Sequence, residues 1–172
     1  GLAAAGANVL IADMAEEMAA KLAAKVAAEA DVRAAGCFVN AMQADSLTEV
    51  CSRAKEQLGT IDILVNAVGG NRKGATVSDD MDFFSINPEE LRKVVDLNLF
   101  GGAILPSQIF GKAMAGQESG GSIINISSMN AFRPLTRIAG YSAAKAAVSN
   151  FTQWLAVYLA QAGCTSLRVN AI

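Results

Sequence analysis

Tyr141 and Lys145 stand four residues apart in "GYSAAKAAVSNF", an alanine-rich run from Gly140 to Phe151 whose composition favours helix. Positions i and i+4 share a helix face, so the phenol and the ammonium can present their polar ends to one small volume. Such a pair is either an exposed hydrogen bond or a proton-transfer device. The chain contains no histidine, which removes Ser-His and Cys-His mechanisms and the usual metal ligand. Acid/base chemistry would then fall to a carboxylate, a lysine or a tyrosine. There are two tyrosines, Tyr141 and Tyr158, and Tyr158 has no lysine four residues on. Tyr158 reads as a packing or interface residue. Cys37, Cys51 and Cys164 are odd in number, widely spaced and without a C-x-x-C pair. That pattern predicts neither a disulfide framework nor a metal site, and makes them small buried hydrophobes.

The elements that must position this pair follow from the hydrophobic pattern. "NVLIAD" is a short strand, and "MAEEMAAKLAAKVAAEA" after it combines strong helix formers with an amphipathic spacing. "AAGCFVNAMQAD" holds a second strand. Ser46 with Glu49 three residues on is a capping-box signature for a helix reaching about Leu58. "IDILVNAVGGN" is a buried strand entering a glycine turn, and residues 71–86 form a polar, irregular excursion. Asn87, Pro88 and Glu90 mark a helix start, and Gly101, Gly102 and Pro106 should bend or loosen the long helix that follows. "GSIINISS" is a further buried strand, "YSAAKAAVSNFTQWLAVYLAQAG" a long helix and "SLRVNAI" a last strand. Strands alternate with helices throughout. The alternation predicts the α/β doubly wound class, a parallel sheet with helices on both faces and ligands at the carboxyl ends of the strands.

On that frame the polar residues gather at one end of the strands. Asp13 ends the first strand, where a carboxylate can either accept hydrogen bonds from ribose hydroxyls or cap the following helix. Asp45 ends the second strand, and "NAVG", Asn66, Ala67, Val68 and Gly69, ends the third with small residues that admit close approach of a ring or sugar. Ser128 closes the next strand, thirteen residues before Tyr141, and Asn98 lies inside the preceding long helix. Taken alone, Ser128 is a cap and Asn98 a helix kink; together with the Tyr141–Lys145 pair they converge on one mouth of the sheet.

From Gly1 to Ile172 this set resembles the short-chain dehydrogenases/reductases: Asn98, Ser128 and the Y-x-x-x-K of Tyr141 and Lys145 occur in that family's order, with Asp45 as its adenine-site residue and "NAVG" as a variant of its Asn-Asn-Ala-Gly turn. Within the family, "NAVGGN" and "GSIINISSMNAFRPLTRIAGYSAAKAAVSNFTQWLAV" most resemble the D-mannonate oxidoreductases. The resemblance implies a Rossmann-like fold and an NAD-dependent oxidoreductase acting on a sugar acid, with Tyr141 as base, Lys145 on the nicotinamide ribose, Ser128 on the substrate oxygen and Asn98 supporting a proton relay. A phenol with an ordinary pKa near 10 is a poor base at neutral pH. An ammonium about 4 Å away, at an effective dielectric near 20, favours the phenolate by about 4 kcal/mol. NAD is favoured over NADP because Asp13 would repel a 2′-phosphate. Asp13, Asp45, Asn66, Ala67, Gly69, Tyr141 and Lys145 are the cofactor candidates. Asn71, Arg72, Asn130 and Arg133 are the substrate candidates, each arginine being alternatively a solvated surface charge. A catalytically silent dinucleotide-binding regulator, an oxidoreductase for an uncharged polyol and an unrelated doubly wound enzyme are the competing readings.

Composition limits the partners. Net charge is −2 with basic residues scattered among acidic ones, which offers no footprint for nucleic acid. No apolar run approaches the roughly 18 residues that span a bilayer, so a soluble, cytoplasmic protein without a membrane partner is expected. The resemblance further implies a homodimer or homotetramer, with the alanine-rich face from Ala143 to Ala147 allowing close helix approach. It also implies that residues 1–172 are one partial dinucleotide-binding and catalytic domain. The glycine-rich pyrophosphate loop with its first strand would precede Gly1, and a substrate-covering loop would follow Ile172. These 172 residues alone are accordingly expected to be inactive.

Overall fold

The computed structural model describes residues 1–133 and 135–172 and divides into two compact units, Gly1–Ile61 and Asp62–Ile172. In the first unit, strand β1 (Val9–Asp13) leads into helix α1 (Glu16–Ala30), strand β2 (Ala34–Phe38) and helix α2 (Ala44–Leu58). The two strands pair in parallel from Val9 opposite Ala34 to Asp13 opposite Phe38. Small residues let α1 lie close on this ribbon, with Ala19 and Ala23 buried. Helix α2 buries Leu47, Val50, Cys51 and Ala54, the i, i+3, i+4, i+7 stripe of an amphipathic helix. Its last carbonyls are held by Arg33, which donates to Gln57 O at 3.1 Å and Leu58 O at 3.4 Å.

The second unit carries strand β3 (Ile63–Asn66), helix α3 (Pro88–Val95), a π-helical run (Asp96–Ile104), helix α4 (Leu105–Ala115), strand β4 (Gly121–Asn125), helix α5 (Ala139–Gln161) and strand β5 (Leu167–Ala171). All three strands are parallel in the order β3-β4-β5, with Ile63 opposite Ser122 and Gly121 opposite Leu167. Among the described residues β1 pairs with β2 and β3 with β4, so each ends its sheet. The core of this unit includes Ile123 of β4 with Met114, Val94, Ala103 and Val148, all fully buried. Parallel strands flanked by helices are the α/β class expected.

Several local expectations hold and several need correction. Asn87 caps α3 through Oδ1, which accepts the Glu89 N–H at 2.9 Å, with Pro88 at the first helical position. The glycines at 101 and 102 do loosen the long helix, as nine residues of π-helix rather than a simple bend. Ser46, by contrast, caps nothing: α2 starts two residues earlier, and the Ser46 hydroxyl accepts the Asn40 N–H at 2.9 Å. Asp45 does not end β2, which stops at Phe38; it lies exposed in the first turn of α2. Ser128 lies three residues beyond the end of β4. Cys37 and Cys51 are buried, while Cys164 is partly exposed. The helical stretch from Pro88 to Ala115 contains an 18-residue window of mean hydropathy 1.2, so one run does reach membrane-spanning length by composition. Half of that window is buried inside the protein, and its buried polar side chains, Asn98 and Ser107, hydrogen-bond to the strand end at residues 66–70.

Candidate active site

Lys145 sits on α5 with only 4% of its surface exposed, an unusual place for an ammonium. Its Nζ donates to the carbonyl of Ile126 at 2.6 Å and lies 5.6 Å from the centre of the Tyr141 ring. Burial pushes the Lys145 amine below its ordinary value. The i, i+4 spacing puts the ammonium over the ring of the tyrosine on one helix face. Two residues beyond the carbonyl that holds Lys145, Ser128 caps a 3₁₀ turn (Met129–Ala131), its Oγ accepting the Asn130 N–H at 3.1 Å. A hydroxyl that accepts one hydrogen bond keeps its own proton to donate.

Asn98 is fully buried in the π-helical run. Its Oδ1 accepts the Gly70 N–H at 3.0 Å, and its Nδ2 donates to Gly70 O at 2.6 Å and to Val94 O at 2.8 Å. The carboxamide is thus committed to fixing the turn after β3. That turn runs against the helix: a β-carbon on Gly102 would meet Val68 O at 2.5 Å, and one on Gly69 would stand 2.6 Å from Asn98 Oδ1 and 3.4 Å from Lys145 Nζ. Gly69 is what lets backbone, asparagine and lysine share the site.

A second layer of buried polar groups supports the strand ends. Asn66 Nδ2 donates to Asn125 Oδ1 at 2.8 Å and to Ser107 Oγ at 3.1 Å; Asn125 Nδ2 donates to Thr152 Oγ1 at 2.9 Å, and Thr152 donates to Val148 O at 2.8 Å. This chain links α4, β3, β4 and α5 across the sheet. Ser127 adds a contact of 2.6 Å to Ser149 Oγ and donates to Lys145 O at 3.3 Å. Ser107, Asn125, Ser127, Ser149 and Thr152 were not foreseen from the sequence. Their one available signal was an asparagine and a serine in the otherwise apolar strand "IINIS", which need buried partners.

The substrate candidates divide. Asn71 Nδ2 donates to Thr76 Oγ1 at 2.7 Å, and Arg72 is paired with Glu90 at 2.8 Å. Lys93 approaches the same carboxylate at 2.6 Å, and hydrogen bonds from Arg72 and Lys93 hold the Glu90 carboxyl down at about 2. Asn130 is buried, whereas Arg133 is exposed on the loop after Ser128. That loop is tied to the 71–86 excursion by the Val77 N–H, which donates to Arg137 O at 2.8 Å. In the first unit, Asp13 is exposed at the end of β1, and its Oδ1 accepts the Ala15 N–H at 2.8 Å. It makes a local turn bond and does not cap α1, whose cap position, Ala15, has no side-chain bond. Tyr158 is 51% exposed and stacks on Trp154 with ring centres 5.4 Å apart.

A doubly wound α/β chain with a buried lysine one turn from a tyrosine, and a capping serine two residues beyond the lysine's anchor, is the arrangement to compare with known families. The family model described as short chain dehydrogenase matches residues 1–172, and the chain belongs to that family. An uncharacterized oxidoreductase of Haemophilus influenzae is 46% identical over 143 residues, covering 77% of this chain and 48% of the relative. Uncharacterized oxidoreductase UxuB of Bacillus subtilis is 41% identical, covering 83% and 54%. The 3alpha-hydroxysteroid dehydrogenase of Mediterraneibacter gnavus is 34% identical, covering 83% and 52%. Among solved structures, a candidate D-mannonate oxidoreductase from Haemophilus with bound NAD superimposes with a TM-score of 0.85 at 40% identity, covering 96% of this chain and 60% of that one. The chain spans about half the length of these curated relatives.

Proposed function

We propose that these residues belong to an NAD-dependent oxidoreductase that moves hydride between nicotinamide and a secondary alcohol or ketone of a sugar acid, D-mannonate/D-fructuronate being the first substrate to test. The observation that carries this reading is the Lys145 seat, a buried ammonium anchored on Ile126 O and set against Tyr141. The NAD held by the Haemophilus structural neighbour supports the cofactor.

The residues fit a nicotinamide ribose. An ammonium has three N–H donors, and the Ile126 carbonyl takes one of them, leaving donors for sugar hydroxyls. Gly69 leaves the space beside Lys145 without a side chain. Bound NAD would supply the hydride acceptor. Tyr141, as the phenolate that the Lys145 charge would stabilise, would take the proton from the substrate hydroxyl and become the neutral phenol. Ser128 would donate its hydroxyl proton to the substrate oxygen. Asn98, with its amide committed to Gly70 and Val94, would hold the turn at Gly69 in place. For the substrate carboxylate we favour Arg133, which is exposed, over Arg72, whose charge is compensated by Glu90. Asp13 would accept from ribose hydroxyls and disfavour NADP. The exposed aromatic side of α5, Trp154 and Tyr158, would serve a homodimer or homotetramer.

The test is turnover of D-mannonate by the intact protein with NAD, followed by absorbance of reduced nicotinamide. Equal turnover of mannitol would refute recognition of the carboxylate. NAD binding without turnover of any polyol or sugar acid would replace this reading with that of a silent sensor.

A further inference from the structure

We infer that Ser127 and Ser149 form a positioning pair that sets the register of α5 against the end of β4, and thereby the placement of Lys145 beside Ser128. The inference rests on the reaction proposed above. Three consecutive residues of the strand end attach to three positions on one face of α5. Asn125 Nδ2 donates to Thr152 Oγ1 at 2.9 Å, Ile126 O accepts Lys145 Nζ at 2.6 Å, and Ser127 Oγ lies 2.6 Å from Ser149 Oγ. Ser127 Oγ also donates to the main-chain carbonyl of Lys145 at 3.3 Å. Each hydroxyl has a single proton, so one assignment satisfies both contacts: Ser149 donates to Ser127, and Ser127 donates to Lys145 O. Lys145 is thereby held at both ends by adjacent strand residues, its ammonium by Ile126 and its carbonyl by Ser127.

Packing contributes to this register through Val148, which is fully buried, and the hydrogen bonds of Ser127 and Ser149 add direction to it, beside a cavity of about 470 Å³ that the two serines border with Thr152, Ser128 and Val169. Ser127 and Ser149 touch neither of the groups that would react; they act through Lys145 and Ser128.

Ser127→Ala and Ser149→Ala in the intact protein test this. Each is expected to lower kcat about tenfold, in line with the sensitivity of catalysis to small misplacement, with KM for NAD and substrate within about twofold. The double variant should be no slower than the slower single one, and Ser127→Thr should restore most of the rate. A second readout is independent of turnover: the rate of reductive methylation of Lys145, followed by mass spectrometry, should rise severalfold in both alanine variants. Multiplicative losses in the double variant, or unchanged kcat with unchanged methylation, would overturn the pairing. If the parent protein turns over no substrate, the reaction proposed above fails, and the methylation rates decide the pairing alone.

Discussion

Replacing Gly69 by alanine adds one methyl group at the point where the turn after β3 meets Asn98. The new β-carbon would stand 2.6 Å from Asn98 Oδ1, well inside contact distance, and 3.4 Å from Lys145 Nζ, which is ordinary contact. The backbone at Gly69 is not in the left-handed region, so the strain comes from the contact and not from the main chain. Asn98 cannot swing away freely, because three hydrogen bonds to Gly70 and Val94 fix its carboxamide in a fully buried position. Giving up two of these at about 1 kcal/mol each, with part of the penalty for an unpaired buried group, puts the destabilisation at about 2–4 kcal/mol. For a domain of this size that lowers Tm by roughly 5–15 °C. The assay is thermal or urea unfolding of Gly69→Ala, Asn98→Ala and the double variant. Asn98→Ala should itself destabilise by leaving the Gly70 amide and carbonyl unpaired. In the double variant the carboxamide that clashed is gone, so the sum of the single losses should exceed the double loss by about 1 kcal/mol or more. Strict additivity, or a Gly69→Ala variant as stable as the parent, would show that the turn relaxes without involving Asn98.

Tyr141→Phe should lower kcat by about two orders of magnitude or more while NAD affinity measured by calorimetry stays within a few-fold, since the proton acceptor is lost and the ring is kept; retained turnover would remove Tyr141 from its role. Asp13→Ala should narrow the preference for NAD over NADP in kcat/KM, and equal use of both cofactors by the parent protein would sink the assignment. The Glu90 carboxyl is held at about 2 by Arg72 and Lys93, below its ordinary 4.5. A depressed carboxyl contributes stability that is fully present above the ordinary value and is lost as pH falls toward the folded one. Glu90→Gln should therefore flatten the fall in stability between about pH 4.5 and pH 2, seen in urea midpoints across that range; an unchanged acid limb would contradict the pairing.

What was legible in the sequence was local. Tyr141 and Lys145 were found because helix periodicity alone puts them on one face, and Asn87 because a cap joins a side chain to a backbone group two residues on. Ser46 had an equally good local signature, yet the loop N–H of Asn40 competes for the same hydroxyl and wins, so tertiary context overrode the capping box. Asp45 was misplaced because β2 stops at Phe38 and five residues, 39–43, separate that strand from the first turn of α2. The two glycines at 101 and 102 signalled a loosened helix, but nothing in them specified nine residues of π-helix. The chain from Ser107 through Asn66 and Asn125 to Thr152 joins residues up to 59 positions apart, and no periodicity reports such a pairing. The carbonyl seat of Lys145 was invisible for the same reason, since it lies 19 residues upstream on a different element.

The π-helical run between α3 and α4 also acts as a phase adjuster. Asn98 grips Gly70 and Ser107 meets Asn66, so both reach the same few residues at the end of β3. On an uninterrupted α-helix, positions nine apart would lie on nearly opposite sides of the cylinder, at 100° per residue. One of the two would then face away from the strand end. The wider turns of residues 96–104 underwind the helix and rotate Ser107 back toward the side of Asn98. Angular bookkeeping of this kind is unforgiving to length changes: removing one residue from the run would tighten it toward an α-helix and rotate every later position of α4 relative to Asn98. Point substitutions here leave the rotation intact, whereas a single-residue deletion resets which side chains of α4 look at the sheet.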